Sequence, residues 1–564
     1  MYQEFFLGQA GSEYRRLSID TSVFSTVAQL RSALGRSFSF ADPDGKSSES
    51  SEYGELASLD KIQSHPGPLE LRVNPDGPVK TPAGPRPLPV VGNHYEVYPD
   101  ALGNYDRLFA RYGPMFKTTN MGTTIYHTND PEIARFVLRE GAFFTKTTSD
   151  PAHPLFYMQE QTALFTCDSA SPAYPLAHKF VPPALSPRAV AHHTPLVQAA
   201  ARSIFPVLDA LDADQRAFNV YQYMFKMGGQ VIWRVVAGQD VAHFAAVDTP
   251  PTHAIRLFGE YLALMKKMSL RPAWFGRLPF GDPARLRKVR EDLFATVEQA
   301  MDAAVTPGAG TLPLRDPLSQ QRAACVADFL ARARDEKGEA LPRDVLLGNV
   351  TVLLGAGFVT SASLLSWALY SLVAYPGNQE RLLQEIADHG GCAGDGEGES
   401  RPWSYDEVHS LKFLDAFVKE TQRLHSPSFQ TARNAKTDVV LPGGYLVPQG
   451  AVVIACFPSM HKNPRFWDNP ARFEPKRWMA DGVAAEAARK GLYTPFAAGA
   501  RGCVGFNLAL LQVKMVLIEL VWRYRFEDAS PEPVVYDPEF LVTRPLNFYA
   551  SAVRRTKWPE KSKV

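Results

Sequence analysis

The residues Phe496-Ala-Ala-Gly499-Ala-Arg501-Gly-Cys503-Val-Gly505 place one thiol among glycines and a cation, just before a long apolar stretch. A cysteine at a helix N-terminus can be held as a thiolate, because free backbone N–H groups favour negative sulfur. Glycines without a Cβ let such a loop lie close against a flat ligand. Axial ligation of an iron porphyrin needs this setting, since the thiolate pushes electron density onto iron and favours O–O cleavage. Cys-x-Gly alone reads as a buried structural cysteine. Phe496 seven positions before the cysteine, Gly499 four before and Arg501 two before favour a ligand loop over that reading.

The segment resembles the heme-ligand loop of the cytochrome P450 family, and the chain supports that resemblance from about Pro82 to its end. The resemblance implies heme (iron protoporphyrin IX) with Cys503 as the metal ligand and a catalytic residue. Phe496 and Gly505 then border the ring, and Arg501 and Arg433 are the propionate-binding arginines. His178, in Tyr174-Pro-Leu-Ala-His178-Lys, matches a heme-contacting helix whose usual aromatic residue is Trp.

Glu420-Thr-Gln-Arg423, within LKFLDAFVKETQRLH, puts two charges on one helix face. An exposed pair of this spacing contributes only about 0.3–0.5 kcal/mol. Here Pro475-Lys-Arg477-Trp478 follows about fifty residues later, and Cys503 about eighty. That order resembles the family's Glu-x-x-Arg pair completed by a later Arg. It implies that Glu420, Arg423 and Arg477 form a buried structural triad behind the heme.

The stretch VTVLLGAGFVTSASLLSWALYSLV resembles the long helix that crosses the oxygen-binding face. Ala356-Gly357 then forms the groove beside the heme, and Thr360 takes the catalytic, oxygen-facing position. A mid-helix threonine otherwise only bonds back to the i−4 carbonyl. Where the family has Asp or Glu directly before this Thr, the chain has Val359. Valine carries no proton, so a relay must use water, another side chain or the substrate, or the reaction is not ordinary hydroxylation. Phe165, Phe358, Val359 and Phe429 are the expected walls of the substrate pocket.

LLSWALY, FARYG-MFK and Met460-His461-Lys-Asn-Pro464 resemble the fatty-acid-hydroxylase branch, including the bacterial enzyme fused to its reductase. No reductase follows Val564. At the pocket mouth, where that enzyme holds a carboxylate with Arg and Tyr, MGTTIYHT offers Thr123 and His127, so a fatty-acid substrate is not supported. Lys476, Arg477, Arg489 and Lys490 mark the expected proximal face for an electron donor.

These residues must be carried by a mainly α fold with small β-sheets, the cytochrome P450 fold, over residues 92–564. Residues 75–91 are a Pro-rich linker, extended by its prolines. Residues 1–74 read as β-β-α-β-β: Glu4–Leu7 and Tyr14–Ile19 as a hairpin, a helix from Thr26 with Val27, Leu30 and Leu34 on one face, then Phe38–Phe40 and Leu69–Val73. With Leu59-Asp-Lys-Ile62 before the last strand, this order resembles a small α+β, ubiquitin-like β-grasp domain, a surface for a protein partner. Lys46–Glu55, Thr306–Pro317 and His389–Ser400 read as surface loops.

Lys+Arg of 60 against Asp+Glu of 59 leaves a net charge of +1, so no field recruits nucleic acid. The five cysteines are scattered and odd in number, which argues for a reducing compartment. The first twenty residues show neither a signal peptide nor a membrane anchor, and the apolar run at Val350–Phe358 is too short to span. A cytoplasmic or peripherally membrane-associated protein without a transmembrane helix is expected. The leading reading is a monooxygenase of secondary metabolism that inserts one O2-derived oxygen into a lipophilic small molecule, with NADPH electrons arriving only through a separate reductase. Val359 keeps open a second reading, in which the same fold uses peroxide or rearranges or dehydrates its substrate. A third is a heme-binding interaction protein dominated by residues 1–74.

Overall fold

Residues 343–374 are apolar on every side, and a helix of that kind has to lie inside a protein. In the computed structural model they form one helix, Arg343–Ala374, most of whose residues between Val345 and Leu372 are buried. It stops at Tyr375, an extended residue held so by the following Pro376. Among the described residues it is the one helix long and apolar enough to cross a membrane, and 67% of its apolar window is buried within the protein. Helices Ala173–Ala184, Gly281–Ala304, Lys412–Leu424 and Phe506–Arg523 pack against it and share its apolar core.

The structure describes the strand residues 2–7, 15–20, 38–41 and 69–73, then residues 80–562 except 121, 159, 392–399 and 429. The expected helix from Thr26, the Leu59–Ile62 segment, the Lys46–Glu55 loop, most of the His389–Ser400 loop and the pocket residue Phe429 lie outside the described residues. In the N-terminal strands, Tyr2–Leu7 pairs antiparallel with Arg15–Asp20 and parallel with Leu69–Val73. Leu69–Val73 pairs antiparallel with Phe38–Ala41, closing a four-stranded mixed sheet.

Helix Val220–Ile232 lies closest to the long helix, and two glycines permit the approach. A Cβ on Gly228 would sit 2.7 Å from the Phe358 carbonyl oxygen, and one on Gly357 would sit 2.6 Å from Ile232 Cδ1. Gly228→Ala should therefore destabilise the protein. The helix-propensity gain of about 1 kcal/mol is outweighed because the clash is with backbone that cannot rotate away. A net loss of about 1–2 kcal/mol is expected in chemical denaturation; an unchanged or raised midpoint would show that the helices can separate freely.

A five-stranded sheet runs in the order Met115–Asn120, Thr123–Thr128, Val452–Cys456, Gln430–Ala435, Phe144–Thr145. Its outer pairing sets Asn434 opposite Thr145 and Ala435 opposite Phe144. That register brings Arg433 beside the chain that continues into Lys146.

Candidate active site

The ligand loop is closed by two backbone bonds, Cys503 N–H to Phe496 O and Gly502 N–H to Gly499 O, both 2.9 Å. Gly499 sits at φ 76, and a Cβ there would come within 2.9 Å of the Leu138 carbonyl oxygen. Its lack of a side chain thus serves the turn and the packing on Leu138, not clearance for a flat ligand as the sequence suggested. Gly505 is the opposite case: a Cβ there would meet nothing within 4 Å. The Phe496 and Phe506 rings stand 6.2 Å apart on either side of the loop. Helix Phe506–Arg523 begins three residues after Cys503.

Cys503 is exposed, the only one of the four described cysteines that is. Yet protein surrounds it so closely that burial is the main influence on its thiol and pushes it up, with the Gly505 N–H opposing. The expected helix-terminus effect does not dominate the free thiol, because burial penalises a lone anion more than one N–H favours it.

Three cations converge near this loop. Arg501 donates to Leu164 O at 2.7 Å and Ser169 Oγ at 3.0 Å, and its guanidinium lies 3.7 Å over the Tyr174 ring. Arg433 is buried and donates through Nη1 to Ala432 O at 2.8 Å, while its Nη2 has no hydrogen-bond partner among the described residues. Glu140 Oε1 lies 3.5 Å from Arg433 Nε and 3.4 Å from Arg501 Nε, the same oxygen for both. Lys146, also buried, donates to Phe165 O and stands 4.4 Å over the Phe165 ring. Burial, then the guanidiniums of Arg433 and Arg501, pull the Lys146 pKa well below its usual value. Burial pushes Arg433 down to about 10, Glu140 opposing. His153 beside them is held neutral, its pKa lowered to about 3 by burial and then by Lys146 and Arg433.

On the long helix, Ala356 is exposed and Thr360 is half-buried, although the helix is otherwise a core element. The Thr360 hydroxyl donates to Ala356 O at 2.7 Å. Three expectations for this helix need correction. Phe358 and Val359 are fully buried, Phe358 ring-packed on Phe225 at 4.9 Å and Phe258 at 5.6 Å, so they belong to the core and not to a pocket wall. Gly357 faces Ile232, so its missing side chain serves helix packing and not a groove beside a cofactor. The physical reason is phase: one residue is 100° around a helix, so positions adjacent to Ala356 and Thr360 turn to the neighbouring helix.

Glu420 and Arg423 are fully buried and joined by two bonds of 2.9 Å. Arg477 Nε donates to Glu420 Oε1 at 3.0 Å. Glu474 N–H and Trp478 Nε1–H each donate to the same carboxylate at 2.8 Å. Arg423 spends its remaining N–H groups on the carbonyls of His461, Pro470 and Arg472, at 2.7–3.1 Å. Arg477 is therefore turned inward and leaves the expected donor-docking face to exposed Lys476, with Arg489 and Lys490 sharing Glu486 at 2.8 and 3.0 Å.

His178 is exposed on helix Ala173–Ala184, 5.6 Å from the Tyr174 ring. Phe165 is 46% exposed, unusual for a phenylalanine carried between buried Ala163 and Cys167. His127 does not stand at a pocket mouth. It is buried in the sheet, stacked on Phe116 at 4.8 Å and bonded to Thr118 Oγ1 at 2.9 Å. Its neighbours Tyr126 and Thr128 are buried as well, so this end of the strand is covered on both faces.

Lys146, Glu140 and Asn349 were not singled out from the sequence. Asn349 ties the long helix to the Phe165 segment through Leu164 N–H at 2.9 Å and Thr162 O at 3.2 Å. Trp478 had a signal, since it follows Arg477 directly; Lys146 had none short of its strand's distant pairing.

These features fit a heme. Arg433 and Arg501 share one nearby carboxylate, Glu140, beside a third cation, Lys146, and leave buried guanidinium N–H groups unmatched, as two propionates would require. At Gly505, two residues after an accessible thiol, an added Cβ would meet nothing within 4 Å. The chain matches the cytochrome P450 family over residues 82–551. It is 45% identical over 564 residues, 99% of each chain, to cytochrome P450 monooxygenase alnD of Emericella nidulans. It is 30% identical over 283 residues to leukotriene-B4 omega-hydroxylase 3 of Mus musculus, covering 49% of this chain and 52% of that one. The crystal structure of the cytochrome P450DA heme domain shares its fold, with a TM-score of 0.72 at 21% identity over 84% of this chain and 98% of that one. From the thiol loop, the cation cradle and a relative alike along its whole length, the chain belongs to the cytochrome P450 family and is a heme–thiolate monooxygenase.

Proposed function

We propose that this enzyme inserts one O2-derived oxygen into a lipophilic small molecule of secondary metabolism, with NADPH electrons supplied by a separate reductase. The observation that carries the reading is the accessible Cys503 thiol in the loop of Arg501, which shares one carboxylate with the buried Arg433. A heme held through the Cys503 thiolate would supply the activation of dioxygen for attack on unactivated C–H bonds. Cys503 holds the iron side, and Gly505 and Phe496 border the ring. Arg433 and Arg501 hold the propionates, and exposed His178 stands on a helix that reaches the same arginine through Tyr174. Glu420, Arg423 and Arg477 fix the segment behind the ligand loop. Phe165 provides an apolar wall that excludes water, while Ala356 leaves space for a small ligand. Thr360, its proton given to Ala356 O, accepts a hydrogen bond from water at Oγ1 and orders proton delivery.

Val359 does not favour the peroxide or rearrangement alternative. An acid at that position would point into the core with Val359, so its absence removes nothing from the open face. Turnover with reductase, NADPH and isotopically labelled dioxygen should give labelled product, and hydroperoxide alone should give little. Product formed from hydroperoxide without electron supply would reverse this reading. Thr360→Ala should keep heme and substrate binding but lower product formed per O2 consumed by about tenfold or more. Unchanged coupling would remove Thr360 from proton delivery.

Residues 1–74 form, on this proposal, a β-grasp unit that serves a protein partner. The mixed sheet with its parallel Tyr2–Leu7/Leu69–Val73 pair supports it. So does the start of the family match at residue 82, with a relative alike over 99% of this chain. A cytoplasmic or peripherally membrane-associated location goes with the same proposal.

A further inference from the structure

The Phe165 wall is held by its backbone. Three consecutive carbonyls accept side-chain donors: Leu164 O from Arg501 at 2.7 Å, Phe165 O from Lys146, and Thr166 O from Thr148 Oγ1 at 2.5 Å. A segment whose carbonyls are pinned in this way has little freedom to translate, and its exposed ring inherits that placement. Lys146 alone makes two contacts there, because its ammonium also stands 4.4 Å over the Phe165 ring. The same lysine is fixed from the other side: Lys146 N–H donates to Ser169 Oγ at 3.3 Å, and Ser169 N–H to Lys146 O at 2.9 Å. Ser169 Oγ in turn receives Arg501 and donates to Glu140 Oε2 at 2.8 Å. Lys146 therefore joins the cation cradle to the pocket wall.

We infer that Lys146 is a positioning residue: it couples the heme-propionate cradle to the placement of Phe165, and so sets which bulky ligands fit above the iron. This rests on the heme reading given above. With the propionates in the cradle, the Lys146 ammonium keeps its charge, its bond to Phe165 O and its place over the ring. Without that charge the bond to the carbonyl weakens and the ring loses its cation, and the wall relaxes.

Two azoles separate the effect of the wall from that of the iron. Imidazole meets little beyond the metal, whereas 4-phenylimidazole carries a ring that must pass the wall. Binding of both to full-length, heme-loaded wild type, seen as the red-shifted difference spectrum of nitrogen ligation, establishes the heme reading independently. Lys146→Met keeps the length of the stem and removes donor and charge. Its affinity for 4-phenylimidazole should change by about tenfold, the effect of losing one charge-assisted hydrogen bond, while imidazole affinity shifts by less than about twofold. In a Phe165→Ala background the Lys146→Met effect on 4-phenylimidazole should vanish. Should Lys146→Met fail to load heme, Lys146→Gln is read in its place, because it removes the charge and shortens the stem while keeping a polar end. Equal shifts for the two azoles, no shift for either in the loaded variant, or an effect that persists without Phe165 would each overturn the inference.

Discussion

Replacement of Glu420 by glutamine is expected to abolish stable heme-loaded protein, not to redirect its chemistry. The carboxylate accepts five bonds, two from Arg423 and one each from Arg477, Glu474 N–H and Trp478 Nε1–H. Glutamine preserves the shape but turns one acceptor into an N–H2 donor that faces other donors. It also removes the ionic partner of two guanidiniums, one of them fully buried. Breaking a buried pair from one side costs about 3–5 kcal/mol, against a total stability of about 5–15 kcal/mol. Heme content per purified chain and the thermal midpoint should both fall sharply. Normal heme content and midpoint, with altered products, would instead make Glu420 part of the reaction.

The second large effect belongs to Cys503. Cys503→Ser preserves the loop, whose backbone bond to Phe496 O is indifferent to the side chain. It replaces a soft, strongly donating thiolate by a hydroxyl that binds iron weakly and supplies no comparable push. Reductase-dependent turnover should fall by on the order of a thousandfold or more. The Glu420 cluster lies in other segments, so the unfolding midpoint of the heme-free chain should stay close to wild type. Retained NADPH-dependent turnover would contradict the assignment of the ligand.

The two sites also show what could be read from the chain alone. Cys503 and its glycines lie within ten residues, and Glu420 with Arg423 within one helical turn, so local spacing carried both. Arg477 needed only the order of segments. The long helix gave up its identity but not its facing, because a helix apolar on every side has no amphipathic phase to read. Phe358, Val359 and Gly357 were assigned to the open side for that reason, and the packing of Ile232 and Phe225 placed them in the core. His127 failed in a related way, since a strand flanked by covered faces gives alternation no outward side. Lys146 reaches Arg433 only through the pairing of Phe144–Thr145 with Asn434–Ala435, nearly three hundred residues away. No local pattern encodes such a pairing, and the link from the cradle to Phe165 depends on it.

The accessible sulfur and the neighbouring cations support one central claim: that Cys503 binds a heme whose propionates Arg433 and Arg501 hold. The difference spectrum of the reduced, carbon monoxide-bound full chain tests it most directly. The strongly red-shifted Soret band of a thiolate-ligated complex is expected in wild type and absent in Cys503→Ser. A wild-type band at the position of histidine-ligated heme, or no Soret band at all after reconstitution with heme, would contradict it.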